Sequence, residues 1–226
     1  MSTAETALGA PAWNDPNRVG HHGYGHRPGG EPTGHGEGGP ASKRVIVGFG
    51  FWIYLLSDII MFSAFFAAYA VLANATAGGP TGRQLFNLTN VGVETGCLLA
   101  SSFAGGMASI AAAVRNQLWT QISLLVTGVL GAAFLYLELH EFALLVAQGA
   151  GPTRSAFLTA FFSLVGLHGT HISVGLLWLG TMMAQIWAKG FQGYIMRRLL
   201  CFTLFWHALD IIWVALFTIV YLMGAG

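Results

Sequence analysis

Five carboxylic acids, Asp58, Glu94, Glu138, Glu141 and Asp210, lie inside long apolar stretches of this chain, at the same depth as the histidines His140, His168, His171 and His207. The lysines and arginines keep to the loops and the ends of those stretches. A charged carboxylate near the centre of a bilayer costs roughly 2.5 to 3.5 kcal/mol on insertion scales, so each acid must face protein or water, protonated or paired. Histidine is the one cationic partner available at that depth. Residues three apart share a helix face, which groups His207 with Asp210, Glu138 with Glu141, and His168 with His171. A local contact between His207 and Asp210 is compatible with that spacing. His140 points away from Glu138, whose partner must therefore come from another helix.

Three chemistries fit such a set. Histidines three apart, joined by carboxylates from facing helices, resemble a di-metal bundle, but the doubled Glu-x-x-His of such sites and the zinc motif HExxH are both absent from the sequence. A proton or ion path lined by the acids fits better. Plainer than either is a set of interhelical hydrogen bonds and lipid-headgroup contacts, worth about 1 kcal/mol each, and this reading outweighs the other two. Glu94, in VGVETGCLL, reads as a helix cap or a headgroup contact. No residue is assigned as catalytic, cofactor-binding or metal-ligating. The candidates for a buried polar network or lipid contact are Asp58, Glu94, Glu138, Glu141, His168, His171, His207 and Asp210.

The elements that must position these groups follow from composition. The 226 residues are 54% hydrophobic and 8% charged, with a mean hydropathy of +0.62. About 25% charge is usual for soluble domains, so this is an integral membrane protein. A net charge of +1 leaves no basic patch for nucleic acid. Cys97 and Cys201 both sit in apolar runs, where a thiol acts as a small hydrophobe. Residues 1–42, with His21, His22, His26 and His35 in GHHGYGHRPGGEPTGHGEGG, lack the aliphatic content to fold and are expected to be disordered. No cleavable signal peptide is apparent, because the first apolar run starts only near Val45 and is too long for one.

Residues 43–226 then form an all-α membrane domain of five spans, at about 46–73, 91–114, 119–147, 156–187 and 198–223. Turn-rich connectors such as NATAGGPTGRQLFNLTN and QGAGPTRS separate them. The Gly/Pro connector between the third and fourth spans makes these antiparallel neighbours. The abundant aromatics, as in FFAAYA and FWH, are expected to pack against helices or lipid. Cytoplasmic loops carry the excess of Lys and Arg. A cytoplasmic N-terminus puts Lys43, Arg44, Arg115, Lys189, Arg197 and Arg198 inside and leaves only Arg83 and Arg154 outside, with the C-terminus periplasmic.

Four stretches carry a family likeness. GFWIYLLSDIIMFSAFFAAYAVL, AGGPTGRQLFNL, GPTRSAFLTAFFSLVGLHGTHISVGL and FWHALDIIWVALFTIVYLMG resemble, in order, subunit III of the haem-copper respiratory oxidases, most closely that of the bacterial cytochrome o type ubiquinol oxidases. Five spans fit the quinol-oxidase form, which looks like the seven-helix cytochrome c oxidase subunit without its first two helices. The resemblance implies a non-catalytic subunit of a proton-pumping complex of the bacterial inner membrane that oxidises ubiquinol and reduces oxygen. The chain would hold no cofactor, haem and copper belonging to subunit I. Its implied partners are subunits I, II and IV and phospholipid, and its implied roles are stabilising subunit I, holding lipid and supporting proton uptake.

By the same likeness, Asp58 in SDIIMF is the counterpart of the family's carbodiimide-reactive carboxylate, with Asp standing where cytochrome c oxidases have Glu. The family's Glu-x-x-Glu falls on Glu138 and Glu141, its GxHGxH on His168 and His171, and its WHxxD on His207 and Asp210. Two alternatives to the supporting role are a proton conduit or antenna feeding subunit I, and an independent metal-dependent membrane enzyme built on His168 and His171.

Overall fold

The computed structural model describes residues 43–78 and 88–225; the tail and Arg83 lie outside the described residues. Five helices account for almost all of it: α1 (Lys43–Leu72), α2 (Leu88–Ala113), α3 (Gln117–Ala147), α4 (Ala156–Lys189) and α5 (Gly193–Leu216). The last helix runs on through a π-helical turn, Phe217–Leu222. All five are long and apolar enough to cross a bilayer. A helix satisfies every backbone group internally, which is what hydrocarbon demands of a spanning segment. The sequence-based spans are recovered, with α2 starting three residues earlier than expected and α5 five residues earlier.

Local signals set the ends. Asn116 caps α3 by accepting from the Trp119 amide at 3.2 Å, and Ser155 caps α4 by accepting from the Leu158 amide at 3.2 Å. The α2–α3 turn is so short that Arg115 takes the left-handed conformation, φ +57°. Gly190 closes α4 at φ +66°, a conformation in which a Cβ is strained. At the same end, Gln117 and Gln121 of α3 donate to the carbonyls of Ile186 and Met183 on α4, at 3.2 and 2.9 Å. As the Gly/Pro connector predicted, α3 and α4 are antiparallel neighbours.

α2 and α3 form a closely packed hairpin, α4 and α5 occupy the middle, and α1 packs on α4 and α5. The core is aromatic at its centre, with Phe134, Phe161, Phe202, Trp206, Trp213 and Tyr221 all buried. Tyr69 reaches from α1 to donate to the Val220 carbonyl in the π-helical turn, at 3.4 Å.

Candidate functional site

The polar groups inside the bundle fall into three separate sets. The first is a seam between α2 and α5. Trp206 Nε1–H donates to Ser101 Oγ at 3.1 Å, Trp213 Nε1–H donates to Thr95 Oγ1 at 3.0 Å, and the hydroxyls of Ser109 and Thr203 meet at 2.9 Å. These contacts follow one antiparallel register, residues rising along α2 as their partners fall along α5. Two glycines make room for the Trp206 ring. A Cβ on Gly131 of α3 would lie 2.8 Å from Trp206 Cζ2, and one on Gly175 of α4 would lie 2.9 Å from Cζ3. Trp206 thereby touches three other helices. Trp213 packs edge-on to Phe134, ring centroids 4.6 Å apart, and lies 5.1 Å from the His168 ring.

Small residues surround the fourth-span histidines, a pattern that admits a close neighbour. At Gly175 that neighbour is a ring, the Trp206 indole. Packing alone does not account for the two tryptophans, whose indole N–H groups also bond across to α2. A signal for these bonds was present, since a buried indole N–H needs an acceptor and α2 carries the hydroxyls of Thr95, Ser101, Ser102 and Ser109 within a largely apolar span.

The second set lies where α1 meets α4 and α5. His171 Nε2 is 3.9 Å from Asp58 Oδ2, both side chains being half-buried. His171 Nδ1 lies 2.9 Å from the Leu167 carbonyl. A carbonyl can only accept, so Nδ1 carries a proton and Nε2 is the nitrogen left to face Asp58. His207 lines a groove of about 310 Å³ between α1 and α5, beside Phe62, Ser63 and Phe66. His168, by contrast, is fully buried, and its Nε2 donates to the Leu209 carbonyl at 3.3 Å.

The third set consists of carboxyls. Glu138 is 3% exposed and Glu94 2% exposed, while Glu141 is half-buried. All three lie within electrostatic range of one another and of Tyr221. Both oxygens of Glu138 and one of Glu94 have no hydrogen-bond partner among the described residues. Gly169 of α4 gives Glu138 its place, because a Cβ there would sit 3.0 Å from Oε1. Glu94 is neither a cap nor a headgroup contact: α2 begins at Leu88, which puts Glu94 in its second turn, facing inward. Asp210 turns toward the Ser102 hydroxyl on α2, near enough to interact with it though short of close hydrogen-bond geometry.

His207 and Asp210 share a helix side but make no hydrogen bond or ion pair with each other among the described residues. Three residues of helix turn leave them about 60° apart around the axis, enough to aim one at the α1 groove and the other at α2. His140 is exposed and stacks on Tyr136. Among the described residues no three His, Cys, Asp or Glu side chains come together to hold a metal. His168 and His171 each engage one nitrogen with a different backbone carbonyl. Cys97 and Cys201 are free thiols. The arrangement can hold helices in register and can hold protons on carboxyls and imidazoles.

Residues 31–225 match the family described as cytochrome c oxidase subunit III. A relative in Pseudomonas aeruginosa, "Cytochrome bo(3) ubiquinol oxidase subunit 3", is 47% identical over 93% of this chain and 94% of its own. "Quinol oxidase subunit 3" of Bacillus subtilis is 41% identical, covering 78% of this chain and 87% of its own. "Cytochrome c oxidase subunit 3" of Bacillus sp. strain PS3 is 40% identical, covering 77% and 84%.

Proposed function

Since the chain belongs to the cytochrome c oxidase subunit III family, we propose that it serves a proton-translocating ubiquinol oxidase of the bacterial inner membrane as a supporting subunit without a redox centre. In this reading it packs against subunit I, which holds the haem and copper, assembles with subunits II and IV, and retains phospholipid. Quinol as electron donor comes from the names of the relatives. The observation that carries the supporting role is the use made of the buried polar groups. The indoles of Trp206 and Trp213 and the imidazole of His168 are spent on bonds between helices, the kind of contact that fixes a membrane bundle.

The orientation proposed is N-terminus in the cytoplasm. In its support, Arg115, Lys189 and Arg197 lie near the end of the bundle that carries the α2–α3 and α4–α5 turns, and Arg154 lies at the other end. The test is co-purification. A tagged chain extracted in mild detergent should bring down a haem- and copper-containing subunit with quinol-dependent oxygen consumption. Isolation of the chain without any haem protein would overturn the reading.

The Asp58–His171 pair favours a second role, as a proton antenna for subunit I. One proton added between His171 Nε2 and Asp58 would join two groups that now stand 3.9 Å apart, in the middle of α1 and α4. Asp58→Ala in an assembled oxidase should then slow proton uptake. Normal uptake and pumping in that variant would remove the role and leave the supporting one intact.

A further inference from the structure

A groove of about 230 Å³ runs along the outer face of the bundle between α3 and α4, and its lining combines two unrelated features. On α4 four of the lining residues are small, Gly166, Gly169, Thr170 and Ser173, paired four apart as Gly166 with Thr170 and Gly169 with Ser173. Stripes of this kind let the backbone of another membrane helix come close. Thr170 and Ser173 spend their hydroxyl protons on the Gly166 and Gly169 carbonyls, at 2.8 and 2.9 Å, so they present a smooth surface. No helix among the described residues fills the groove. On α3 Leu135, Leu139 and Phe142 line it together with Glu138, which is more than nine-tenths buried and has neither carboxyl oxygen hydrogen-bonded among the described residues. Exposed Leu139, Val174 and Leu177 form the rim.

We propose that this groove receives a membrane helix of a neighbouring oxidase subunit, which presents a hydrogen-bond donor to Glu138. Depth selects the occupant. With the middle of α3 placed at the bilayer centre, Glu138, six residues along, lies about 9 Å from it, whereas the hydrocarbon extends about 15 Å. A phospholipid headgroup remains above that level, and an acyl chain has no donor to offer. A Ser, Thr, Asn or Gln on a spanning helix reaches it. Either protonation state of the carboxyl keeps an oxygen that accepts. Close backbone approach over the small residues brings the donor within range after a minor shift of the carboxyl. The inference rests on the family reading, which supplies neighbouring subunits, and adds the face and the chemistry by which one of them is held.

The experiment uses the assembled oxidase in its native membrane, with Leu177→p-benzoylphenylalanine at the rim. Irradiation should join this chain to another subunit, identified by mass spectrometry. Adducts with lipid alone, or with a second copy of this chain, overturn the proposal. A second measurement compares Glu138→Gln with Glu138→Leu at equal abundance in the membrane. Gln retains an acceptor and should keep the chain in the complex through detergent washing, whereas Leu should lower its retention about threefold to tenfold, the range of one interhelical hydrogen bond. Equal retention of the two variants also overturns it. Failure of the unaltered chain to co-purify with any oxidase subunit would instead refute the family reading on which the proposal stands.

Discussion

Two kinds of polar side chain lie buried in the same bundle and meet different treatment. Along the α2–α5 seam the neutral donors are matched: Trp206 with Ser101, Trp213 with Thr95, Ser109 with Thr203. The carboxyls of Glu94 and Glu138, packed against the same helices, each keep an oxygen with no hydrogen-bond partner among the described residues. In hydrocarbon an unsatisfied polar group is costly and water is not at hand to relieve it. The matched groups tie the helices to one another, and Glu138 is the unmatched carboxyl to which the proposed neighbouring helix would bring a donor.

Removing the centre of the matched set should have the largest effect. Trp206→Ala deletes a ring seated between Gly131 and Gly175 and breaks the bond to Ser101. The expected loss is about 3 to 5 kcal/mol, the range for large-to-alanine changes in a core. Denaturation of the purified chain in mixed micelles of increasing SDS fraction measures it. Gly131→Ala should come next, at about 1 to 3 kcal/mol, because the added methyl meets the ring at 2.8 Å and the slot has no slack. A neutral result for either variant would mean that the seam does not hold the bundle.

Thr95→Val tests the matching itself, since it keeps the shape of the side chain and leaves the Trp213 N–H without its acceptor. The expected loss is about 0.6 kcal/mol and at most about 1.7, as for interhelical hydrogen bonds in other membrane bundles. Glu138→Gln should cost the isolated chain less than Thr95→Val does, because no bond within the chain is lost. The same denaturation measurement ranks the two. A larger loss for Glu138→Gln would show that the carboxyl has its partner at home and would erase the contrast.

The contrast explains which parts could be read from the chain alone. Five spans were legible, because twenty apolar residues in a row admit few other readings. Their starts were less so: α5 begins at Gly193, five residues before the apolar run, since Gly-Tyr-Ile-Met-Arg is helical without being strongly apolar. That Asp58, Glu138 and Asp210 lie within spans was plain from position. Their partners were not, because spacing fixes which residues share a face and says nothing about the helix opposite. His207 and Asp210 show this, as equal spacing sent one toward α1 and the other toward α2. Glu94 was misplaced for a smaller reason, the three-residue error in the start of α2, which moved it from a helix end to the interior.

The smallest effect on folding is expected at Asp58, where the chain does bring a carboxyl and a histidine together. At 3.9 Å, His171 Nε2 and Asp58 Oδ2 are beyond hydrogen-bond distance, and both side chains are partly exposed on a lightly covered helix. Asp58→Asn keeps the size and polarity of the side chain, so the loss should stay below about 0.5 kcal/mol, under the Thr95→Val effect. Two measurements on one variant then divide the possible roles. If Asp58→Asn unfolds the chain as readily as Thr95→Val, the pair belongs to the matched set and its work is structural. If stability is untouched while proton uptake by the assembled oxidase slows, the pair joins Glu138 among the groups whose use lies outside the fold. The 3.9 Å separation favours the second result, because a pair built to hold two helices together would have closed to bonding distance, as the tryptophans have.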